Sequence, residues 1–146
     1  MRVFTHTIWI ARSPEAVFDF FVDFTQAPRW RRFVSQMRLI SAGPLGAGSV
    51  VAVSMDLAGA THDFTLTVLT LDRPRRWRHR TDEPHYDGAV EYTFAPDRDG
   101  TLVTMSMTVR PIGLYGWLGL PLVLLRGGRS YAGQLPSLKR AVEQQH

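Results

Sequence analysis

The chain of 146 residues contains no cysteine, which excludes disulfides, thiolate metal sites and cysteine nucleophiles and suits a reducing compartment, by default the cytoplasm. Lysine is nearly absent: sixteen of the seventeen basic residues are arginine, Lys139 being the exception, and with thirteen acidic residues they leave a formal charge of +4. There is no long hydrophobic run. The longest uncharged apolar stretch, Pro111 to Leu125, is interrupted by Gly113, Gly116, Gly119 and Pro121 and falls short of the roughly 20 residues that a membrane span needs. The N-terminus, with His6 among alternating residues, lacks the continuous apolar core of a secretory leader. Neither a Gly-x-Ser-x-Gly elbow nor a phosphate-binding glycine loop is present, so hydrolase and nucleotide-dependent chemistries have no local support. What remains is ordinary globular composition, 45% apolar and 21% charged, in a length that suits one domain over residues 1–146.

The longest patterned stretch is the last. Leu124, Gly128, Tyr131, Leu135, Leu138 and Val142 recur at spacings of three and four, the stripe of an amphipathic helix from about Leu120 to Gln144 lying along an apolar surface. Pro136 interrupts it, having no N–H for the carbonyl of Ala132. Two segments are therefore expected, one ending near Gln134 and one from Pro136 to Gln144, either as a kink or as a helix boundary with Pro136 in a first turn.

Ahead of that helix almost everything reads as strand. Phe4, His6, Ile8 and Ile10 alternate with Val3, Thr5, Thr7 and Trp9, which predicts a first strand with two fairly apolar faces. Ser13-Pro14-Glu15 then gives an N-cap, a proline at the first helical position and a charge that complements the dipole, ahead of Val17, Phe18, Phe20 and Phe21. A second short helix is expected from Thr25 to Phe33, anchored by Trp30. From Val34 the period is two, and strands are expected at Val34 to Ser41, Ser49 to Leu57, His62 to Leu71, Arg75 to Thr81, Tyr86 to Ala95 and Thr101 to Arg110. Short turns rich in Gly, Pro and Asp separate them, so sequence neighbours should pair antiparallel. Phe64, Leu66 and Val68, with Trp77, His79 and Thr81, with Val90 and Tyr92, and with Met105 and Met107, fall on the inward parity.

That order, and several local matches, resemble the helix-grip superfamily that includes START lipid-transfer domains, the birch-pollen allergen family and polyketide cyclase/dehydrase-like proteins (SRPBCC). The matches are Ile10 to Asp19 running into Asp23 and Pro28-Arg29-Trp30; Gly46-Ala47-Gly48; Leu71 to Trp77; Tyr92-Thr93-Phe94 followed by Asp99-Gly100-Thr101; and Leu138-Lys139-Arg140. The resemblance implies an α+β helix-grip fold: a curved antiparallel seven-stranded sheet wrapped around a long C-terminal helix, with two short helices after the first strand. It also implies a deep pocket between the two, open near the N-terminal end of that helix. Members carry lipids, sterols, polyketides or plant hormones, and some cyclise or dehydrate polyketide chains. The expected partner is accordingly a hydrophobic or aromatic small molecule, with no cofactor and no metal.

The side chains expected to contact it are Phe64, Leu66, Trp77, His79, Tyr92, Met105, Met107 and Tyr131. Polar groups among apolar ones are the candidates for chemistry, because burying one unpaired costs about 1 to 3 kcal/mol. A rival, enzymatic expectation takes His79 as acid or base with Tyr86 or Tyr92 holding a carbonyl or enolate. His62, Asp63, Asp82, His85 and Asp87 near strand ends show no metal-ligand spacing. The arginine clusters Arg29, Arg31, Arg32 and Arg73, Arg75, Arg76, Arg78, Arg80 are expected to form solvated faces, and no nucleic-acid partner is expected, since no nucleic-acid motif accompanies them. A third expectation is an accessory protein using Tyr115, Trp117 and the arginines to touch a membrane, without spanning it, or a protein partner.

Overall fold

The computed structural model describes residues 2–82, 86–121 and 133–145. Seven strands form one antiparallel sheet in the order β1-β7-β6-β5-β4-β3-β2: β1 Arg2–Ile10, β2 Val34–Leu39, β3 Val50–Leu57, β4 Ala60–Asp72, β5 Arg76–Thr81, β6 Tyr86–Asp97 and β7 Gly100–Pro111. From β2 onward each strand pairs with its sequence neighbour, as tight turns demand, and β1 closes onto β7. Register shifts occur in β1, β2 and β4, and each such irregularity bends its strand and increases its twist. The ends of β1 and β4 and the start of β7 mark the upper end of the sheet. The starts of β1 and β2 and the end of β7 mark the lower one.

Helices lie on the inner face. In α1 (Pro14–Val22) Ser13 caps the N-terminus by accepting from the Ala16 amide at 3.2 Å, as the sequence expects. The second expected helix is split. Asp23 accepts from the Thr25 amide and starts a 3-10 turn, Phe24–Gln26, and α2 is then only Ala27–Trp30. Residues 113–121 form α3 as far as they are described, where the sequence, broken by three glycines, suggests a loop and helix entrance. The last helix, α4, is Gln134–Glu143. Pro136 sits in its first turn, where a missing N–H breaks no helical bond, so the boundary alternative describes it. Within the described residues α4 has ten residues, short of the long helix expected from the stripe. Leu124, Gly128 and Tyr131 lie outside the described residues.

Alternation along the strands produces the core. Val51, Val53, Leu66, Val68, Trp77, Val90, Tyr92, Phe94, Val103 and Met105 are all buried, and Phe18, Phe21, Trp30, Leu135, Leu138 and Val142 descend on them from the helices. The α4 C-terminus is clipped to the end of β1. Lys139 Nζ donates to the Trp9 carbonyl at 2.7 Å and to Glu143 Oε2 at 2.8 Å, and that carboxylate also accepts from the Ala11 amide at 2.8 Å. The Ala11 amide, followed by Lys139, holds the Glu143 carboxyl below the usual range. Asp19 on α1 takes a two-pronged bond from Arg73 in the β4–β5 turn, both prongs 2.7 Å, and that hydrogen bond lowers its pKa. The local matches therefore act as caps, turns and braces.

Candidate ligand site on the inner face

The middle of the inner face is filled by rings. Phe21 is central, with Tyr92 at 4.6 Å, Phe94 at 5.3 Å and Trp77 and Trp30 at 5.5 Å between centroids. Strand register sets this arrangement: Trp77 pairs with Tyr92, which pairs with Met105, so three inward side chains form one row. Trp77, Tyr92 and Met105 are fully buried and Leu66 nearly so. These four residues, expected to touch a guest, are packed into the floor and wall of this face, with the Phe21 ring against Trp77 and Tyr92.

His79 belongs to the same floor. It is two residues from Trp77 on one strand, so both point inward, and the Trp77 indole N–H donates to His79 Nδ1 at 2.7 Å. That bond places the imidazole proton on Nε2. Burial, reinforced by the nearby Arg31 charge, pulls the His79 pKa down to about 3, so the ring is neutral throughout the physiological range. Its Nδ1 is thus engaged and its protonated form disfavoured, which are the two properties that bear on the acid or base role expected of it. Tyr92 is committed as well. Its hydroxyl donates to Gln134 Oε1 at 2.5 Å, tying the sheet to the first residue of α4. Tyr86 opens β6 opposite Pro111, its side chain outside the described residues together with the whole of Tyr131.

Towards the lower end the packing loosens. Phe4, Met55, Phe64 and Met107 are only partly buried against the core, and of the expected contact residues Phe64 and Met107 are the two in this class. Beside them lies His6, which was not among the expected contact residues. It shares the inward parity of Phe4, Ile8 and Ile10, its ring centroid is 4.9 Å from that of Phe4, and Nε2 is buried with no hydrogen-bond partner among the described residues. Alternation in β1 was the signal that could have found it. Arg31 was missed too. It is 7% exposed, with its guanidinium 4.2 Å from the Trp30 ring and 5.0 Å from that of Phe21, where a solvated face was expected for its cluster.

Outward residues are spent on surface contacts. Asp63 accepts from the Ser54 hydroxyl, Asp82 from that of Thr65, and Asp87 pairs with Arg110 at 2.9 Å. No three His, Asp or Glu gather as metal ligands among the described residues. Arg76 pairs with Glu91 and Arg80 with Asp82 on the outer face. No helix among the described residues is long and apolar enough to cross a membrane.

Residues 1–143 match the family model described as polyketide cyclase / dehydrase and lipid transport. No curated protein matches the sequence. Solved structures match in fold. A START superfamily protein from Mycobacterium smegmatis is 19% identical over 97% of both chains, with a TM-score of 0.75. The Zhui aromatase/cyclase from Streptomyces sp. R1128 is 18% identical over 97% of this chain and 93% of its own, with a TM-score of 0.74. Ara h 8.0201 is 15% identical over 97% of both chains, with a TM-score of 0.77. Such identities carry the helix-grip fold and leave the guest to the site itself.

Proposed function

The chain belongs to the polyketide cyclase / dehydrase and lipid transport family, and from that premise we propose that it binds a hydrophobic or aromatic small molecule against the lower inner face of the sheet. What supports this is the contrast along that face. Its middle is closed by rings, whereas Phe4, Met55, Phe64 and Met107 at the lower end remain partly open, as do Ile8, Leu39 and Leu71 nearer the upper end, and the lower group is an apolar surface that gains by being covered at about 25 cal/mol per Å². His6 Nε2 adds one unsatisfied polar atom among the described residues, so a preferred guest has an apolar body and one hydrogen-bonding oxygen. Leu66, Trp77, His79, Tyr92 and Met105 serve as the rigid floor beneath it. The aromatase/cyclase relative suggests an aromatic polyketide as the class, and the family description a lipid as the alternative.

Ring closure or dehydration at this site would need a group that exchanges a proton near neutral pH. His79 is held neutral with a pKa of about 3, which favours binding over catalysis by this residue. The test is a titration with N-phenyl-1-naphthylamine, an uncharged apolar dye that brightens when sheltered from water. Saturable brightening is expected in the native protein, with at least a fivefold loss of affinity in Met107→Trp, which fills the partly open surface. An absence of saturable binding, or equal affinity in Met107→Trp at unchanged stability, would overturn the proposal.

A further inference from the structure

We propose that the groove between α2 and α4 is a binding site for a phosphate group carried by a small molecule or a lipid. The groove encloses about 450 Å³ and is lined by Arg29, Arg31, Arg32, Arg140, Trp30 and Ser137, with no carboxylate among its lining residues. Around one depression the guanidinium groups of Arg29, Arg32 and Arg140, none of them in an ion pair among the described residues, repel one another unless an anion sits between them.

Elsewhere on the surface most cationic side chains have an acidic partner, although among the described residues Arg12, Arg38 and Arg78 form no ion pair either. Seven ion pairs among the described residues neutralise Arg73, Arg75, Arg76, Arg80, Arg98, Arg110 and Lys139, whereas none involves Arg29, Arg32 or Arg140. Those three meet neutral groups instead. Arg29 donates to Gln26 Oε1 at 2.9 Å, Arg140 to Ser137 Oγ at 3.2 Å, and Arg32 lies 4.9 Å from the Phe33 ring centre. Arg31 is held in place by stacking on Trp30, which presets one fork at little entropic cost. Two further donors join them. The Trp30 indole N–H is buried without a partner among the described residues, and α4 starts at the groove with Gly133 as N-cap and no side-chain cap, so no side chain among the described residues offsets its positive end by capping. Several planar forks beside a helix start offer more than one pair of donors, which suits the three oxygens of a phosphate better than the two of a carboxylate.

Two sources of phosphate are distinguishable. Of the seven large apolar side chains exposed among the described residues, Phe33 lines the groove and five (Ile112, Leu114, Tyr115, Trp117 and Leu118) follow directly on the end of β7. A phospholipid would engage both features and a soluble phosphate only the groove. The experiment titrates inorganic phosphate into the full chain calorimetrically at constant ionic strength, then sediments the protein with phosphatidylcholine vesicles containing phosphatidic acid. Arg29→Ser, Arg32→Ser and Arg140→Ser are combined in one variant. The side chains are exposed, so folding is spared, as a thermal melt verifies. A second variant removes equal charge elsewhere through Arg38→Ser, Arg75→Ser and Arg98→Ser.

Saturable binding that weakens at least tenfold in the groove variant, and less than twofold in the other, is the expected result. Loss of vesicle binding in Trp117→Ser/Leu118→Ser, with phosphate binding intact, identifies a lipid as the source. Phosphate binding with no such dependence on α3 identifies a soluble one. No saturable binding of either probe, or equal weakening in both arginine variants, overturns the proposal.

Discussion

His79 offers the sharpest check on the packing of the inner face. A histidine in the unfolded chain takes up a proton near pH 6.5, whereas in the folded chain burial and the Arg31 charge delay protonation to about pH 3. Between those values the unfolded state binds more protons than the folded one, so stability falls as pH falls, beginning near 6.5 and ending near 3. At about 1.4 kcal/mol per unit, the loss attributable to this one ring is about 3 kcal/mol between pH 7 and pH 4. His79→Gln keeps an acceptor for the Trp77 indole but cannot titrate. Urea denaturation followed by tryptophan fluorescence at pH 7, 5.5 and 4 gives the difference in stability between wild type and variant. That difference should move by about 3 kcal/mol in favour of the variant as the pH drops. The lowered carboxyls of Asp19 and Glu143 lose stability in the same direction, but they are common to both proteins and cancel. A difference that stays constant with pH would mean that His79 titrates alike in both states. The ring would then be in contact with water, and the closed floor described for this face would be wrong.

Two other substitutions probe how the sheet is held. Tyr92→Phe removes the hydroxyl that donates to Gln134 Oε1 and leaves a buried amide oxygen short of a donor, so a loss of about 1 to 2 kcal/mol is expected by the same denaturation assay; an unchanged midpoint would show the bond to be dispensable. Gly100→Ala places a Cβ 2.3 Å from the Ile10 carbonyl oxygen and 2.7 Å from the Trp9 ring. Backbone cannot yield as a side chain can, so a loss of about 2 to 3 kcal/mol is expected, and a fully native melting temperature would refute the close approach.

Much of the sheet is legible in the residues because its signals are local. Alternation placed Val51, Leu66, Trp77, Tyr92 and Met105 on one face, and Ser13 marked a helix start that its hydrogen bond to Ala16 explains. The helix at residues 113–121 escaped because its apolar side chains face outward: Leu114 and Tyr115 are 70% and 75% exposed, so no stripe against a polar face announces it. At the site, parity revealed which side chains point inward but not which remain reachable. The spacing of Trp77 and His79 was visible, yet only ring geometry shows that one neutral bond occupies the basic nitrogen. Tyr92 and Gln134 are 42 positions apart, and no pattern along the chain joins them. His6 was readable by parity alone, and the absence of a partner for it emerges only when the strands are assembled.

The most direct measurement uses the methionines as reporters. Of the five in the chain, Met55 and Met107 lie partly open on the lower inner face, while Met37 and Met105 are buried. With methyl-13C methionine, addition of N-phenyl-1-naphthylamine should shift the Met55 and Met107 resonances saturably and leave that of Met105 in place. Saturable binding that moves Met105 while Met55 and Met107 stay fixed would put the guest in the packed floor, and would contradict a site at the lower end.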